Sequence, residues 1–379
     1  MTTSSSNVVF IFVMVYLLTC WVYVSPSGSP QPADFAMVLA IAGGILFARM
    51  RFPKSTWYIL LPLIGFVYYV VLISTLRTLE TGDMEPLKHA RYYVFNLLVV
   101  IVLSFLVTNK RNLINAVMVT LCISVIILFV LQITLFNFSA SRQRLLFNNP
   151  NQLAYFGILC ASIFGVCIAR CVGSRKISTL GFLISTWYVL ISLSLSALTA
   201  LGLLVTIVLL QLGAIRVLLI GAGTVLALTI SLQVADPGDS RIVTYMHDSW
   251  DNRFGRVEEK LEDEAARGYP RLVEFPEYLI FGAGEGARWR FGTGQIEIHS
   301  SWATILFSYG IPGTLLFGTF IWILYKNIGF GLAVYILPAA GYSITHQGLR
   351  FTLFWILLVM LIGIGNHQKL AARSANSVV

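Results

Sequence analysis

His299 is the residue in this chain best placed to move a proton. It ends the polar run GQIEIHSS, immediately before the apolar WATILF, and an imidazole with a pKa of about 6.5 can accept a proton near neutral pH. A lone histidine at such a boundary is more often a hydrogen-bonded anchor than a base. Glu297, two residues earlier, is placed either to orient the ring or to mark the end of the loop. The second chemical set is cationic: Arg142 and Arg144 ahead of LLFNNPNQLAYF, then Arg253, Arg256 and Arg271, then Arg288 and Arg290. A guanidinium offers a planar fork that meets two phosphate oxygens at once, so a pocket of arginines suits a diphosphate better than scattered lysines. Metal chemistry has little to build on, because the chain has no His/Cys cluster and no Asp-x-Asp pair. Asp248 and Asp251 are spaced by three, as in an ordinary acidic loop.

These groups belong to one polar excursion, 235–297, in a chain that is otherwise greasy. Of the seventeen acidic residues, thirteen fall inside it, from Asp236 to Glu297, together with eight Lys or Arg. Over 379 residues the composition is 57% hydrophobic and 11% charged, against about a quarter charged in soluble domains. The chain therefore reads as an all-α polytopic membrane protein. A hydrocarbon core about 30 Å thick takes roughly 20 apolar residues per helix. Twelve such segments are predicted, at 8–24, 35–48, 57–74, 92–107, 116–136, 152–170, 178–195, 197–212, 215–233, 300–325, 329–344 and 351–364. The first is read as a retained helix, since no clear secretory cleavage pattern follows it.

Lys and Arg in short loops mark the cytoplasmic side. With the N-terminus inside, twelve basic residues and no acidic one fall inside, while all seventeen carboxylates and fourteen basic residues fall outside. That segregation supports the count of twelve. It also makes the formal charge of +9 a topology signal, with no call for nucleic acid. The organisation is then a membrane bundle over 1–234, an external loop over 235–298, further spans over 299–366 and a cytoplasmic tail over 367–379. Short external segments at 25–34, 75–91, 137–151 and 345–350 surround the same side and would roof one cavity. No carboxylate or Lys sits mid-span, where ion-coupled transport would need one. An anionic substrate that stays at the outer face is most simply a lipid diphosphate. The five cysteines lie in or beside apolar segments and read as small hydrophobes.

Inside the loop a helix is expected over 252–267, from Asp251 as N-cap to Gly268 and Pro270 as stop. Its basic stripe of Arg253, Arg256, Lys260 and Arg267 opposes Glu258, Glu259 and Glu262, the pattern of a solvated helix with weak ion pairs. The run GAGEGARWRFGTG from Gly282 neither follows a nucleotide-fold strand nor ends in Lys-Ser/Thr. It reads as a tight loop wedged against the bundle. Tyr245, Trp250, Phe254, Tyr269 and Trp289 suit sugar stacking and interface packing equally.

Three stretches carry a family resemblance: RLLFNNPNQLAYF from Arg144, YLIFGAGEG from Tyr278, and EIHSSWATILFSYGIPGTLLF from Glu297, with a helix that turns at Gly310 and Gly313. In that order they resemble the bacterial O-antigen ligase and O-antigen or exopolysaccharide polymerase family, the Wzy-like membrane glycosyltransferases. The resemblance implies a GT-C-like fold in the bacterial inner membrane. It implies cofactor-free, metal-independent, inverting transfer of a glycan from an undecaprenyl-diphosphate-linked donor to a lipid-linked acceptor at the periplasmic or outer face. His299 would be the base. Arg271, then Arg256, with Arg144, Arg142 and Arg253, would hold the diphosphate, supported by Glu297, Arg288 and Arg290. Polymerase is the leading expectation, with a chain-length regulator as candidate partner; a ligase to lipid A core and a lipid-linked glycan transporter are the alternatives. The chain departs from the ligase pattern after the seventh span, where SLSLSALTALG from Ser192 offers no arginine, so another cation, Arg142 or Arg144, is expected to serve.

Overall fold

The structure is a computed structural model that describes residues 3–26, 28–47, 52–109, 111–135, 143–213, 268–292 and 297–376. Among them every regular element is helical. The long elements are α1 (Thr3–Thr19), α2 (Pro32–Phe47), α3 (Lys54–Thr81), α4 (Glu85–Asn109), α5 (Arg111–Leu135), α6 (Pro150–Ala169), α7 (Arg175–Ser192) and α8 (Leu195–Gln211). Two single-turn helices follow, α9 (Arg271–Glu274) and α10 (Tyr278–Phe281), and then α11 (Ser301–Ile328). The last segments are α12 (Phe330–Ala333), α13 (Leu337–Tyr342) and α14 (Thr352–Asn376). The predicted ninth span, 215–233, and the predicted helix over 252–267 lie outside the described residues.

Among the described residues six helices, α3, α4, α5, α6, α11 and α14, are long and apolar enough to cross a membrane, and α1, α2, α8 and α12–α13 are shorter apolar segments. The outer faces carry Phe35, Leu61, Leu72, Ile133, Leu183, Leu210 and Trp322 exposed, a surface that water disfavours and hydrocarbon accepts. The chain is an all-α multi-pass membrane protein.

Two helices are buried on every side, α6 over 153–168 and α14 over 352–365. Helices hydrophobic all round belong at the centre. Around them α3 packs on α4 and α11, α1 on α2 and α5, and α7 and α8 on α6. Helix α6 starts where Asn149 accepts from Gln152 N at 2.9 Å with Pro150 in the first turn, two devices that satisfy and pre-set a helix N-terminus.

Two expected spans are less regular than their apolar runs suggested. The 329–344 segment tightens into a 3-10 turn at Val334–Ile336. Pro338 has no N–H to give Val334 O, which accepts from Leu337 N instead. Helix α11 breaks at Gly310 (φ 62°, ψ −167°), two residues before Pro312. The turn expected at both Gly310 and Gly313 is thus made at Gly310, and Gly313 lies inside helix.

Loops gather at the two ends of the bundle. At one, Tyr23 N donates to Leu146 O (3.2 Å), Asn148 Nδ2 to Ser25 O (3.1 Å) and Tyr342 OH to Asn151 O (2.8 Å). There too Thr345 Oγ1 donates to Ser196 Oγ (2.8 Å), Trp289 Nε1 to Asp83 Oδ2 (3.1 Å) and Tyr269 OH to Ile344 O (3.0 Å). At the other, Asn366 Nδ2 reaches Thr56 Oγ1 (3.2 Å) and Thr108 Oγ1 (3.3 Å), and Gln211 Nε2 reaches Gly331 O (2.7 Å). The described parts of the four short segments read as external therefore meet at a single end.

Candidate functional site

The break in α11 builds one wall of the site. A helix carbonyl at 308 would normally accept from the N–H at 312, but Pro312 has none, and the turn at Gly310 also releases Phe307 O. The glycine loop supplies the missing donors: Ala283 N donates to Phe307 O (2.9 Å) and Gly284 N to Ser308 O (2.8 Å). Backbone meets backbone so closely that a Cβ on Gly282 would stand 2.6 Å from Tyr309 Cα. A Cβ on Gly310 would stand 2.6 Å from Ile280 O. The other side of the loop is gripped by α3 and the start of α4. Arg77 donates through Nε (3.1 Å) and Nη2 (2.8 Å) to Gly282 O, Tyr69 OH donates to Phe281 O (2.9 Å), and Glu85 accepts from Ala287 N (2.7 Å). The run is a wedge, as its sequence suggested.

Seated in that wedge is Glu285, its side chain 5% exposed. It accepts from Tyr309 OH at 3.1 Å and is paired with Arg350 Nη2. The same Nη2 contacts Glu297, whose other oxygen lies 3.8 Å from Arg288 Nη2. Burial pushes the Glu285 carboxyl up, but Arg350, His89 and the hydrogen bonds from Arg350 and Tyr309 more than offset this, holding it below its ordinary value. Burial works against the charge on Arg350 as well, and Glu285 and Glu297 reverse that, so its pKa is raised.

Two cavities meet at Glu297. The smaller, about 20 Å³ and so of single-water size, is lined by Arg271, Arg288, Glu285, Glu297, Phe291 and Thr304 among others. The larger, about 710 Å³, holds His299, Glu297, Arg350 and Arg91 with the amides of Asn149, Asn151, Gln152 and Gln347 and the rings of Tyr23, Tyr155 and Phe351. His299 is exposed to it, one residue before Ser300, which caps α11 by accepting from Ala303 N at 3.3 Å. The helix start is held in place: Ser301 N donates to Ser343 O (2.9 Å), Ser301 Oγ to His346 O (3.2 Å), and Gln347 Nε2 to Ile298 O (2.8 Å).

The candidate residues divide accordingly. His299 and Glu297 share the large cavity with the Asn-rich part of the RLLFNNPNQLAYF stretch. Arg271, 6% exposed, stacks on Phe291 at 5.1 Å and faces the small cavity beside Arg288 and Glu297. Burial foremost, then Arg288, lowers its pKa. Arg290 holds the loop instead, donating to Ala287 O (3.1 Å) and Ala283 O (2.7 Å) and stacking on Phe291 at 4.9 Å. Arg144 is exposed and in neither lining. Arg142, Arg253 and Arg256 lie outside the described residues. Tyr269 and Trp289 spend their polar ends on neighbouring loops, as given above.

Arg350 and Glu285 did not stand out in the sequence. An arginine beside a span reads as a topology charge, and its partner is 65 residues away, beyond any local spacing rule. The one available signal was a carboxylate between two glycines in a loop already expected to be wedged. Among the described residues no three His, Cys, Asp or Glu side chains gather as metal ligands.

The fold and site define a multi-pass helical membrane protein with a charged, partly enclosed cavity at one end. No family model matches the chain, and no curated protein matches it.

Proposed function

We propose that this protein is a polysaccharide polymerase: a GT-C-like glycosyltransferase of about twelve spans in a bacterial inner membrane. It transfers a glycan from a polyprenyl-diphosphate donor to a hydroxyl of a lipid-linked acceptor glycan. His299 takes the hydroxyl proton as the acceptor oxygen attacks the anomeric carbon. The new C–O bond forms as the bond to the diphosphate oxygen breaks, and the electron pair leaves on the diphosphate, stabilised by guanidinium charge. A single displacement inverts the anomeric centre.

The observation that carries this reading is the large cavity. It puts the His299 imidazole, the Arg350 guanidinium and five amide side chains, Gln31 among them, around about 710 Å³, a volume in the range of ligand-binding clefts. Amides and aromatic rings suit sugar hydroxyls and sugar faces, while Arg350, with Arg271 and Arg288 across Glu297, suits the anionic part of a donor.

Replacing His299 with Ala at unchanged membrane abundance tests it. Lipid-linked glycans extracted from such cells should be single repeat units accumulated at the outer face, with polymer reduced by about 10²-fold or more, as loss of a general base implies. Long lipid-linked chains would point to a ligase, and units retained at the inner face to a transporter. Wild-type polymer would reject the role given to His299.

A further inference from the structure

The two carboxylates at the partition between the cavities are held differently. Glu285 is fixed: 5% exposed, bonded to Tyr309 and Arg350, in a loop tied by main-chain hydrogen bonds to α11. Glu297 is reachable: 27% exposed, facing both cavities, paired with Arg350 Nη2, and 3.8 Å from Arg288, beyond hydrogen-bonding range. Both carboxylates contact the one nitrogen Nη2 of Arg350, and its Nε has no acceptor among the described residues. The fork that normally grips one carboxylate or phosphate through two parallel bonds is therefore not engaged as a fork. Across the partition Arg271, Arg288 and Arg350 face Glu285 and Glu297, a balance of one positive charge, which rises to two when Glu297 leaves.

We propose that Glu297 is a displaceable internal anion, occupying on Arg288 and Arg350 the place of a ligand with two anionic phosphoryl groups. Binding a diphosphate moves Glu297 aside and exchanges one long and one shared ion pair for a fork-to-phosphate contact. Glu285 stays and keeps Arg350 aimed at the partition. The carboxylate thereby selects against singly charged anions, which cannot repay its displacement. This inference deepens the reading of the site as one for a diphosphate-linked donor and rests on it for the natural ligand.

The test is binding, not turnover. The full-length protein in phosphatidylcholine nanodiscs is titrated with inorganic pyrophosphate by calorimetry, as wild type, Glu297→Gln and Glu297→Ala. Removing one repelling charge at contact distance in a partly screened site should tighten binding by about tenfold in both variants. Adding Arg288→Gln to Glu297→Gln should remove most of that gain. Inorganic phosphate should gain more than pyrophosphate, narrowing the preference between them. Unchanged or weaker pyrophosphate binding in both Glu297 variants would overturn the proposal. Polyprenyl diphosphate incorporated in the nanodiscs should compete with pyrophosphate. If the Glu297 variants tighten as stated but the lipid fails to compete, the displaceable anion stands with a soluble diphosphate as its ligand, and the lipid-linked donor reading fails by itself.

Discussion

Glu285 and Glu297 carry the same carboxyl group, and their surroundings assign them different work. A carboxylate that is 5% exposed would ordinarily cost several kcal/mol to keep ionised, and only a close, hydrogen-bonded cation repays that. Arg350 does so for Glu285, with Tyr309 as second donor, and the pKa lies below its ordinary 4.5 after burial has been offset. The stability contribution follows in sign. A carboxyl depressed in the folded state stabilises fully above its unfolded pKa, and the contribution is lost as pH falls through the folded value. Arg350, its pKa raised by Glu285 and Glu297, stays charged throughout. The Glu285→Gln variant should therefore be less stable than wild type at pH 7, by roughly 3 kcal/mol as expected for breaking a buried pair. The gap should close as the pH is lowered below about 4.5. Thermal unfolding in detergent micelles from pH 7 to pH 3 measures it. A gap that is constant with pH would mean that the ion pair contributes nothing beyond packing.

At the scale of elements, the site depends on one discontinuity. Helix α11 spends two of its carbonyls on the glycine loop because Gly310 and Pro312 stop the helix from using them, and the loop in turn holds Glu285. Gly310 sits at φ 62°, ψ −167°, a region open essentially to glycine alone, where another residue costs on the order of 1–3 kcal/mol. An added methyl would also meet main-chain atoms of residues 280–282 at 2.6–2.8 Å, which cannot step aside as a side-chain tip would. Gly310→Ala should lower the thermal midpoint and, with the proposed function, abolish polymer formation. Gly318→Ala, in the same helix with nothing within 4 Å of the new methyl, should be neutral or slightly stabilising, since Ala is the better helix former. Parallel unfolding scans of the two variants decide it, and equal behaviour would remove the special role of the break. The break was partly legible, because Gly310 and Pro312 stand in an otherwise apolar run; nothing local said that Gly313 would stay helical. The wedge was legible from glycine density. Its consequence, the pairing of Glu285 with Arg350, arises only when segments 65 residues apart meet at one end of the bundle.

For the whole molecule, charge and architecture point the same way. Hydropathy located the helices well because a membrane forces every backbone polar group into a helix, so length and composition suffice. It could not show where α12 gives way to α13, which depends on a single missing N–H at Pro338. The positive-inside rule put 25–34, 75–91, 137–151 and 345–350 on one side. Hydrogen bonds among residues 23–29, 83–92, 146–151 and 342–350 now join them at the end that holds the cavity. Arg170, Lys326 and Lys369 cluster with the opposite ends of their helices. Gln211 is at that opposite end and Gly268 at the cavity end. If the basic end faces the cytoplasm, the cavity faces out. Native Cys171 is exposed at the basic end and Glu277 is exposed at the cavity end. A membrane-impermeant maleimide added to spheroplasts should label Glu277→Cys readily, in a Cys20→Ser background that removes the thiol lining the cavity. It should reach Cys171 only after the membrane is opened. Labelling of Cys171 but not of position 277 in sealed cells would invert the orientation and place His299 on the cytoplasmic side. Equal labelling of both in sealed cells would put them on one side of the membrane and contradict the placement of positions 171 and 277 at opposite ends of the bundle.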